Sequence, residues 1–328
     1  MFRLAHLSDI HLGPLPEVAY RDLVSKRITG YINWRRNRSA ALNDGVIDDI
    51  VADLKARRPD HVAVTGDLMN LALDGEIELS RLWLEALGAP RDVSVVPGNH
   101  DAYVAGALVK ACRAWGPFMQ GDGAAEPARP GAFPYLRVRG PVALIGASSA
   151  RATAPFMASG FFGESQARRL SRLLDETREK GLCRVVMIHH PPVRGAAAAH
   201  KRLFGIGRFH KVMRDHGAEL VLHGHTHLPT TYRIDGRDGS VPVVGVAAAG
   251  ASSSPGGAPP GAGWASAGAA GARASRPARA RRSRSAGLSI RTAIRRPTPM
   301  PLSTALCCRS GARRVRASPW RSTSCAAC

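Results

Sequence analysis

The chain has 328 residues, a formal net charge of +21 and six cysteines, and 45% of its residues are hydrophobic. This length can bury a full core, either as one large α/β domain or as two domains of ordinary size. The sequence has no apolar run of about 18 residues, as a membrane-spanning helix needs, and no secretory signal pattern, so we expect a cytoplasmic protein.

The positive charge is concentrated at the C-terminal end of the chain. Residues 251–328 hold 14 Arg and no Lys, Asp or Glu, which leaves 32 basic against 25 acidic residues in the first 250. The body of the chain therefore carries a charge of only +7. Because the body also lacks a stripe of basic and aromatic residues, we do not expect nucleic acid as a partner.

The composition of residues 251–328 is typical of translation in a shifted reading frame. Of these 78 residues, 71 are Ser, Pro, Thr, Ala, Cys, Trp, Arg or Gly, whose codons have C or G in the middle. In a GC-rich gene, a shifted frame moves the G or C of the third codon position to the middle. We therefore expect one domain over residues 1–250 and a disordered, frameshifted tail over 251–328. A genuine basic nucleic-acid-binding arm and a low-complexity linker are the alternatives.

Short apolar runs predict buried strands along the first 250 residues. The runs cover 2–7, 61–65, 93–96, 142–146, 184–188, 220–222 and 241–246. Helical periodicity covers about 42–54, 76–88, 104–119, 165–180 and 202–216. Alternating strands and helices predict a layered α/β domain, with helices covering a sheet.

Residues 13–40 interrupt this alternation. The segment mixes apolar residues such as Ile28, Ile32 and Trp34 with basic residues such as Lys26 and Arg35. One interpretation is a basic amphipathic element at the mouth of the site, or on a membrane surface through residues 20–38. The interpretation that we favour is an ordinary surface helix whose apolar side packs on the domain.

Five polar motifs follow predicted strands. They are Asp9-Ile10-His11, Gly66-Asp67, Gly98-Asn99-His100-Asp101, His189-His190-Pro191-Pro192 and Gly224-His225-Thr226-His227. Ligands of open α/β sheets bind at the carboxyl ends of strands, so we expect all five motifs to converge at one edge. Each motif alone is a weak signal, but the ordered set predicts a metal site. Carboxylate, amide and imidazole donors without thiolates suit Mn, Fe, Co or Zn in a catalytic site.

The spacing within two motifs suggests how they would present ligands. In Asp9-x-His11 and His225-x-His227, an extended backbone would aim both side chains the same way. Asp67 has two carboxylate oxygens and could bridge two cations. The glycines at 66, 98 and 224 allow sharp turns and a close approach of the backbone.

Through DIH, GDLMN, GNHD, HHPP and GHTH, the chain resembles the calcineurin-like metallophosphoesterase superfamily over about residues 1–250. The HHPP, LHGHTH and GFFGESQARRLSRLL segments are most similar to the class III cyclic-nucleotide phosphodiesterase branch. The resemblance implies a four-layer αββα sandwich with a binuclear metal centre at the strand ends.

The resemblance also implies a role for each motif residue. One divalent ion would be bound by Asp9, His11 and His227, and the other by Asn99, His189 and His225, with Asp67 bridging the two. His100 would lie close to the leaving-group oxygen, and Asp101 would orient its imidazole. His189 rather than His190 is expected as the ligand, because the family's ligand is the first His after the strand. The family has Asp at the position of Asn70, which is not a metal ligand.

We therefore expect hydrolysis of a small phosphoester, with cyclic nucleotides as the first substrates to consider. Two divalent metal ions lower the pKa of a bridging water, and the resulting hydroxide attacks phosphorus in line. His100 would protonate the departing alkoxide. One alternative is cleavage of a lipid-linked pyrophosphate at the membrane surface, as in the related UDP-diacylglucosamine hydrolases. Another is a non-catalytic binding module that keeps the fold.

Overall fold

The computed structural model describes residues 2–23, 25–37, 44–250, 288–291 and 304–308. The strands are β1 (Phe2–Leu7), β2 (His61–Val64), β3 (Val93–Val95), β4 (Tyr135–Arg139), β5 (Val142–Gly146), β6 (Gly160–Phe161), β7 (Cys183–Met187), β8 (Leu203–Phe204), β9 (Leu220–His223), β10 (Thr230–Gly236), β11 (Gly239–Gly245), β12 (Leu288–Arg291) and β13 (Thr304–Cys308). The helices are α1 (Arg27–Asn37), α2 (Asp44–Arg57), α3 (Asp74–Leu87), α4 (Ala107–Trp115), α5 (Glu164–Glu179) and α6 (Ile206–His216).

These strands form two large sheets and one small one. The first sheet has the order β12-β13-β1-β2-β3, and the second has the order β10-β11-β9-β7-β5-β4. Strands β1, β2 and β3 are parallel, and so are β5, β7, β9 and β11. Strands β6 and β8 form the small sheet. Within each large sheet, the carboxyl ends of the parallel strands therefore lie at the same edge.

The two large sheets pack face to face. In β7, Val185 and Met187 belong to a core that also contains strand residues of the first sheet, whereas Val186 packs in a second core with Leu170 of α5 and Phe209 of α6. Successive side chains of a strand point to opposite faces, so the second sheet has the first sheet on one face and helices on the other.

Helices also cover the first sheet. Leu54 of α2, Leu84 of α3 and Trp115 of α4 belong to the same core as the strands of that sheet. The Trp115 indole N–H donates to the Ile77 carbonyl at 2.9 Å, which joins α4 to α3. The resulting order of helices, sheet, sheet and helices confirms the predicted four-layer αββα sandwich.

All seven predicted strands are present, with ends within two residues of the prediction. Within residues 1–250, the prediction missed β4, β6, β8 and β10; in β4 and β10, polar residues interrupt the apolar pattern. In β4 the inward position is held by Arg137, which is 3% exposed.

The predicted helix over 104–119 is shorter than expected: α4 ends at Trp115, and a 3₁₀ turn over Gly116–Phe118 follows. Pro117 cannot donate the backbone hydrogen bond that a continued helix needs.

The insert over residues 13–40 contains a 3₁₀ turn at Tyr20–Leu23, followed by α1. Tyr31 packs partly against the core, as a surface helix would, whereas Ile28 and Ile32 are 48% and 45% exposed. Contact of this segment with a membrane surface stays a prediction. None of the described helices combines the length and hydrophobicity required to cross a bilayer.

Most of the predicted tail lies outside the described residues, so its frameshifted origin and disorder stay predictions. The described part is the pair of strands β12 and β13. Strand β13 pairs antiparallel with β1, placing Cys308 opposite Phe2, and β12 pairs antiparallel with β13.

Candidate metal centre

The site lies where five parallel strands end. Strands β1, β2 and β3 of the first sheet lead to Asp9, Asp67 and Asn99, and strands β7 and β9 of the second lead to His189 and His225. The two sheets are joined at this edge by a side chain, because Asp9 Oδ2 accepts the backbone N–H of His225 at 2.9 Å. The predicted convergence of the five motifs is therefore present.

Five site residues have left-handed backbone conformations. Their φ angles are positive at Asp9 (53°), His11 (46°), Asp67 (56°), His225 (71°) and His227 (58°). The extended backbone considered for Asp9-x-His11 and His225-x-His227 is therefore wrong. A non-glycine residue in this region costs of the order of 1 kcal/mol or more, and tertiary contacts must hold it there. Such contacts are present: Asp9 N–H donates to the Gly66 carbonyl at 2.9 Å, and His11 N–H donates to that of Asp67 at 3.0 Å.

Two motif glycines allow close packing around the carboxylates. A Cβ at position 98 would clash with Asp67 Oδ1, and a Cβ at position 224 would clash with Ser8 Oγ and lie 2.6 Å from Asp9 Oδ2. At Gly66 the φ angle is +93°, which an L side chain rarely adopts. The glycines are therefore required by the site as well as by the turns.

Atoms that could bind metal converge in three overlapping groups. Within each group, one oxygen or nitrogen of each residue lies within 4.8 Å of the others. The groups are Asp9–His11–His227, His11–Asp67–His100 and Asp67–His189–His225. The first contains the three residues expected around one ion, and the third contains two of those expected around the other. Asp67 belongs to the third group and, with His11, to the second, so it lies next to a ligand expected at each ion.

Asn99 joins the third group through His189. The Nε2 atom of His189 lies 3.2 Å from Asn99 Oδ1 and 3.2 Å from Asp67 Oδ2. On the other side of the site, His227 Nε2 lies 3.3 Å from Asp9 Oδ1. All seven expected ligands are thus brought into one cluster.

Three imidazoles of this cluster are anchored by backbone carbonyls. His11 Nδ1 donates to Met69 O at 2.9 Å, His189 Nδ1 to Thr65 O at 2.6 Å, and His225 Nε2 to Lys201 O at 2.9 Å. A carbonyl only accepts, so each of these nitrogens carries the proton and the other ring nitrogen can bind a cation. This outer hydrogen bond is usual for metal-binding histidines. The donor set therefore fits two divalent ions.

The buried charges in the cluster support the same conclusion. Burial opposes ionisation of Asp9 and Asp67, but His227 and His189 beside them hold both carboxyl pKa values below the usual range. Burial lowers the pKa of His189, but the charge and hydrogen bond of Asp67 outweigh it and raise the pKa to about 9. Two ionised carboxylates thus lie among imidazoles, as a cation site requires.

Asp101 has a different position from the one that the resemblance implies. Its carboxylate accepts backbone N–H groups from Gly98 at 2.8 Å, Asp67 at 2.9 Å and Leu68 at 3.0 Å. Burial and the charge of Asp67 raise the pKa of Asp101 to about 7. Asp101 therefore holds together the turns that carry Asp67 and Asn99.

The imidazole of His100 is oriented by Asn70 instead. His100 Nδ1 donates to the Asn70 carbonyl at 2.6 Å, and its ring stacks on Tyr103 with 5.4 Å between the centroids. Its backbone N–H donates to Asp67 Oδ1 at 2.7 Å. His100 is thus fixed beside the carboxylate shared by two groups. Because a backbone carbonyl orients the ring, the side-chain type at position 70 does not signal this role.

Two further histidines lie beside the cluster without belonging to any of the three groups. His190 Nδ1 bonds to Ser149 Oγ at 2.8 Å, and its Nε2 donates to the Ala158 carbonyl at 3.0 Å. His223 bonds to the Gly224 carbonyl through Nδ1 at 2.9 Å and to Thr230 Oγ1 through Nε2 at 3.2 Å. Both rings are buried, and both nitrogens of each are engaged within the protein.

A cleft of about 430 Å³ opens over the cluster. Asp67, Asn99, His100, His225 and His227 line it from below, and the insert provides one wall. The wall residues are Lys26, Thr29, Gly30 and Asn33 from the insert, Tyr103, the loop 156–158, and His200 and Lys201. The insert therefore lies at the mouth of the site. The other wall residues were missed because no sequence motif marks them.

Comparison with known proteins agrees with this geometry. A family model described as calcineurin-like phosphoesterase matches residues 2–229. No curated protein sequence matched the chain. Among solved structures, the fold is similar to a dimetal phosphatase from Danio rerio, with a TM-score of 0.50 and 15% identity over 76% of this chain and 88% of that one.

Two other solved structures show weaker similarity. TT1561 of Thermus thermophilus has a TM-score of 0.41 and 14% identity, covering 76% of this chain and 90% of that one. The purple acid phosphatase PPD1 from yellow lupin (Lupinus luteus) has a TM-score of 0.48 and 16% identity, covering 76% and 44%. Since the family model matches well over half of the sequence, the chain belongs to the calcineurin-like phosphoesterase family.

Proposed function

We propose that this metal-dependent phosphoesterase uses a binuclear centre to hydrolyse a small phosphodiester, with cyclic nucleotides as the first substrates to test. The observation that carries the proposal is the position of Asp67. Its carboxylate groups with His189 and His225, expected at one ion, and with His11, expected at the other. A carboxylate shared in this way can hold two cations side by side.

Seven residues would hold the two ions. Asp9, His11 and His227 would bind the first, and Asn99, His189 and His225 the second, with Asp67 between them. When bound, the two cations would supply an activated water and neutralise the phosphoryl oxygens, so no protein nucleophile would be required. Oxygen and imidazole donors without thiolate suit Mn, Fe, Zn or Co.

His100 would donate a proton to the departing oxygen. It lines the cleft beside Asp67, and because its Nδ1–H is engaged with the Asn70 carbonyl, the transferred proton would be held at Nε2 of the imidazolium. Proton transfer by a positioned side chain contributes typically about 10²- to 10⁴-fold to the rate. Asp101 would act indirectly, by positioning the turns around Asp67.

An aromatic side chain at the mouth of the cleft supports a nucleotide substrate. Phe156 lines the cleft and is 81% exposed. Exposing a large aromatic ring to water is unfavourable, and such a ring offers a stacking surface for a base. A cyclic nucleotide would place its phosphate at the metal centre and its base near this ring.

A second candidate is cleavage of a lipid-linked nucleotide pyrophosphate at the membrane surface through residues 20–38. The exposed side chains of Ile28 and Ile32 favour it, because they lie on the helix that supplies Asn33 to the cleft. Replacing both isoleucines with Ser should then lower activity on a vesicle-bound substrate and spare a water-soluble one. Equal effects on the two substrates would count against a membrane role.

The decisive experiment is a metal-reconstituted activity screen. The metal-free chain would be loaded in turn with Mn, Fe, Co or Zn and tested on cyclic nucleotides, bis-p-nitrophenyl phosphate and a nucleotide-lipid pyrophosphate. Asn99→Ala should abolish hydrolysis. His216→Ala is a suitable control, because that ring pairs with Asp175 at 2.8 Å, away from the cleft. Metal binding without any turnover would favour a non-catalytic binding module instead.

A further inference from the structure

The walls of the cleft carry positive charge. Lys26 and Lys201 both line the cleft. In the part of the chain that the structure describes, neither forms an ion pair, whereas Lys110 and Lys211 pair with Asp74 and Asp215 at 2.6 Å. Two lysines without a carboxylate partner in a single cleft create a positive potential there, so they suggest an anionic ligand.

Lys26 is held in place close to His100. Its Nζ donates to Thr153 Oγ1 and to the Met157 carbonyl, both at 2.7 Å. It also lies 4.6 Å from the centre of the Tyr103 ring, which stacks on His100. An ammonium group has three donors, so one remains for a ligand. Burial lowers the pKa of Lys26 to about 8, and a bound anion would favour its charged form.

Lys201 is attached to the metal cluster from another wall. Its carbonyl accepts the Nε2–H of His225 at 2.9 Å, while its side chain is exposed. The surrounding segments 147–163 and 188–214 contain no Asp or Glu, but they do contain Arg151, Arg194 and Arg202. This side of the cleft therefore has no acidic residue of its own to balance Lys201.

The charges expected at the metal centre balance one another without the two lysines. Two divalent cations, the carboxylates of Asp9 and Asp67, an attacking hydroxide and a monoanionic phosphodiester add up to no net charge. A phosphodiester with neutral substituents would therefore leave Lys26 and Lys201 without a counter-charge. A second phosphate on the substrate would supply it.

We propose that the substrate is a phosphodiester bearing an additional phosphate group, and that Lys26 and Lys201 bind this second phosphate. The inference rests on the proposed hydrolysis at the metal centre and narrows its substrate class. The two lysines act in substrate binding, and the metal ligands and His100 act in bond cleavage. Charge-assisted hydrogen bonds to a phosphate are among the stronger polar contacts, so the preference should be easy to measure.

Two chromogenic substrates with the same scissile bond test the proposal. Thymidine 5′-(p-nitrophenyl phosphate) and its 3′-phosphorylated derivative differ only in the second phosphate. With the metal-loaded full chain, we expect KM to be about tenfold lower for the 3′-phosphorylated compound, with similar kcat. In Lys26→Gln and in Lys201→Gln, the ratio of the two KM values should fall to about threefold or less. Lys26→Arg should keep most of the difference in KM between the two substrates.

Lys110→Gln is the matched control, since Lys110 lies outside the cleft, and its KM ratio should equal that of the wild type. The thermal unfolding midpoint of each variant shows whether a changed KM ratio reflects weaker substrate binding or a destabilised fold. A wild-type ratio near one would overturn the proposal, and so would a ratio that neither Gln variant changes. If neither these compounds nor the substrates of the metal-reconstituted screen are hydrolysed with any metal, the proposed function itself fails; if only the substrates of the screen are hydrolysed, the second-phosphate proposal is overturned.

Discussion

His189 Nε2 lies 3.2 Å from the carboxylate of Asp67, although the two residues follow strands of different sheets. The proton on His189 Nδ1 is committed to the Thr65 carbonyl at 2.6 Å, so Nε2 is the nitrogen that faces the carboxylate. This pair joins the two halves of the sandwich at the metal centre. Its geometry makes Asp67 the residue whose loss should affect both metal positions.

Asp67→Asn should remove most of the metal and most of the activity. An amide offers one neutral oxygen where the carboxylate offers two charged ones, so it cannot bridge two cations. We expect a loss of at least about 10³-fold in kcat and fewer than two ions per chain by elemental analysis. Asp175→Asn, outside the cluster, should keep the full metal content. Normal metal content in Asp67→Asn would contradict the bridging role.

His100→Gln should lower kcat without removing metal. The expected loss is about 10²- to 10⁴-fold for substrates with an alcohol leaving group, which needs a proton to depart. The loss should be much smaller for p-nitrophenyl esters, because p-nitrophenolate is a stable leaving group. Equal losses for both substrate types would argue against proton donation by His100.

Arg137→Met should lower the stability of the fold. The guanidinium group is buried in β4 and donates at 2.5 to 2.7 Å to the carbonyls of Pro90, Val93, Pro117 and Gln120. Methionine would leave these carbonyls without that donor, so we expect a loss of about 2 to 4 kcal/mol in the free energy of unfolding, measured with urea. The exposed Arg91→Met should change it by less than about 0.5 kcal/mol.

Protonation of His61 should contribute to acid unfolding. Burial, with smaller effects from the charges of Arg139 and Arg137, lowers the pKa of His61 from 6.5 to about 3. The folded state favours the neutral ring, so its contribution to stability is complete above pH 6.5 and is lost as the pH falls towards 3. At pH 4 the loss should be about 3 kcal/mol. In His61→Gln, the plot of unfolding free energy against pH should be flatter. The wild-type slope in that variant would refute the assignment.

Restoring the reading frame after about residue 250 should stabilise the chain. Strand β1 pairs with β2 on one side and with β13 of the region 251–328 on the other. If that region is translated out of frame, its residues were not selected to cover this sheet edge. We expect a higher thermal midpoint for the frame-corrected protein. Resequencing tests the premise, and equal midpoints would contradict the expected gain.

The sequence alone predicted the layered fold and where the candidate ligand residues converge. Apolar runs such as 142–146 are a local property of buried strands, and polar motifs such as Asp9-Ile10-His11 directly follow them. Since parallel strands end at a common edge, the order of the motifs was enough to bring their residues together. The resemblance to a known family then predicted which residues group around each ion.

Only the tertiary structure decided how these residues are held and what surrounds them. Asn70 orients His100 through a backbone carbonyl, and Asp101 binds backbone N–H groups. Lys26 and Lys201 reach the cleft from segments far apart in the sequence. Backbone groups look the same in every residue, and contacts between distant segments leave no local pattern. These relationships therefore become visible only once the chain is folded.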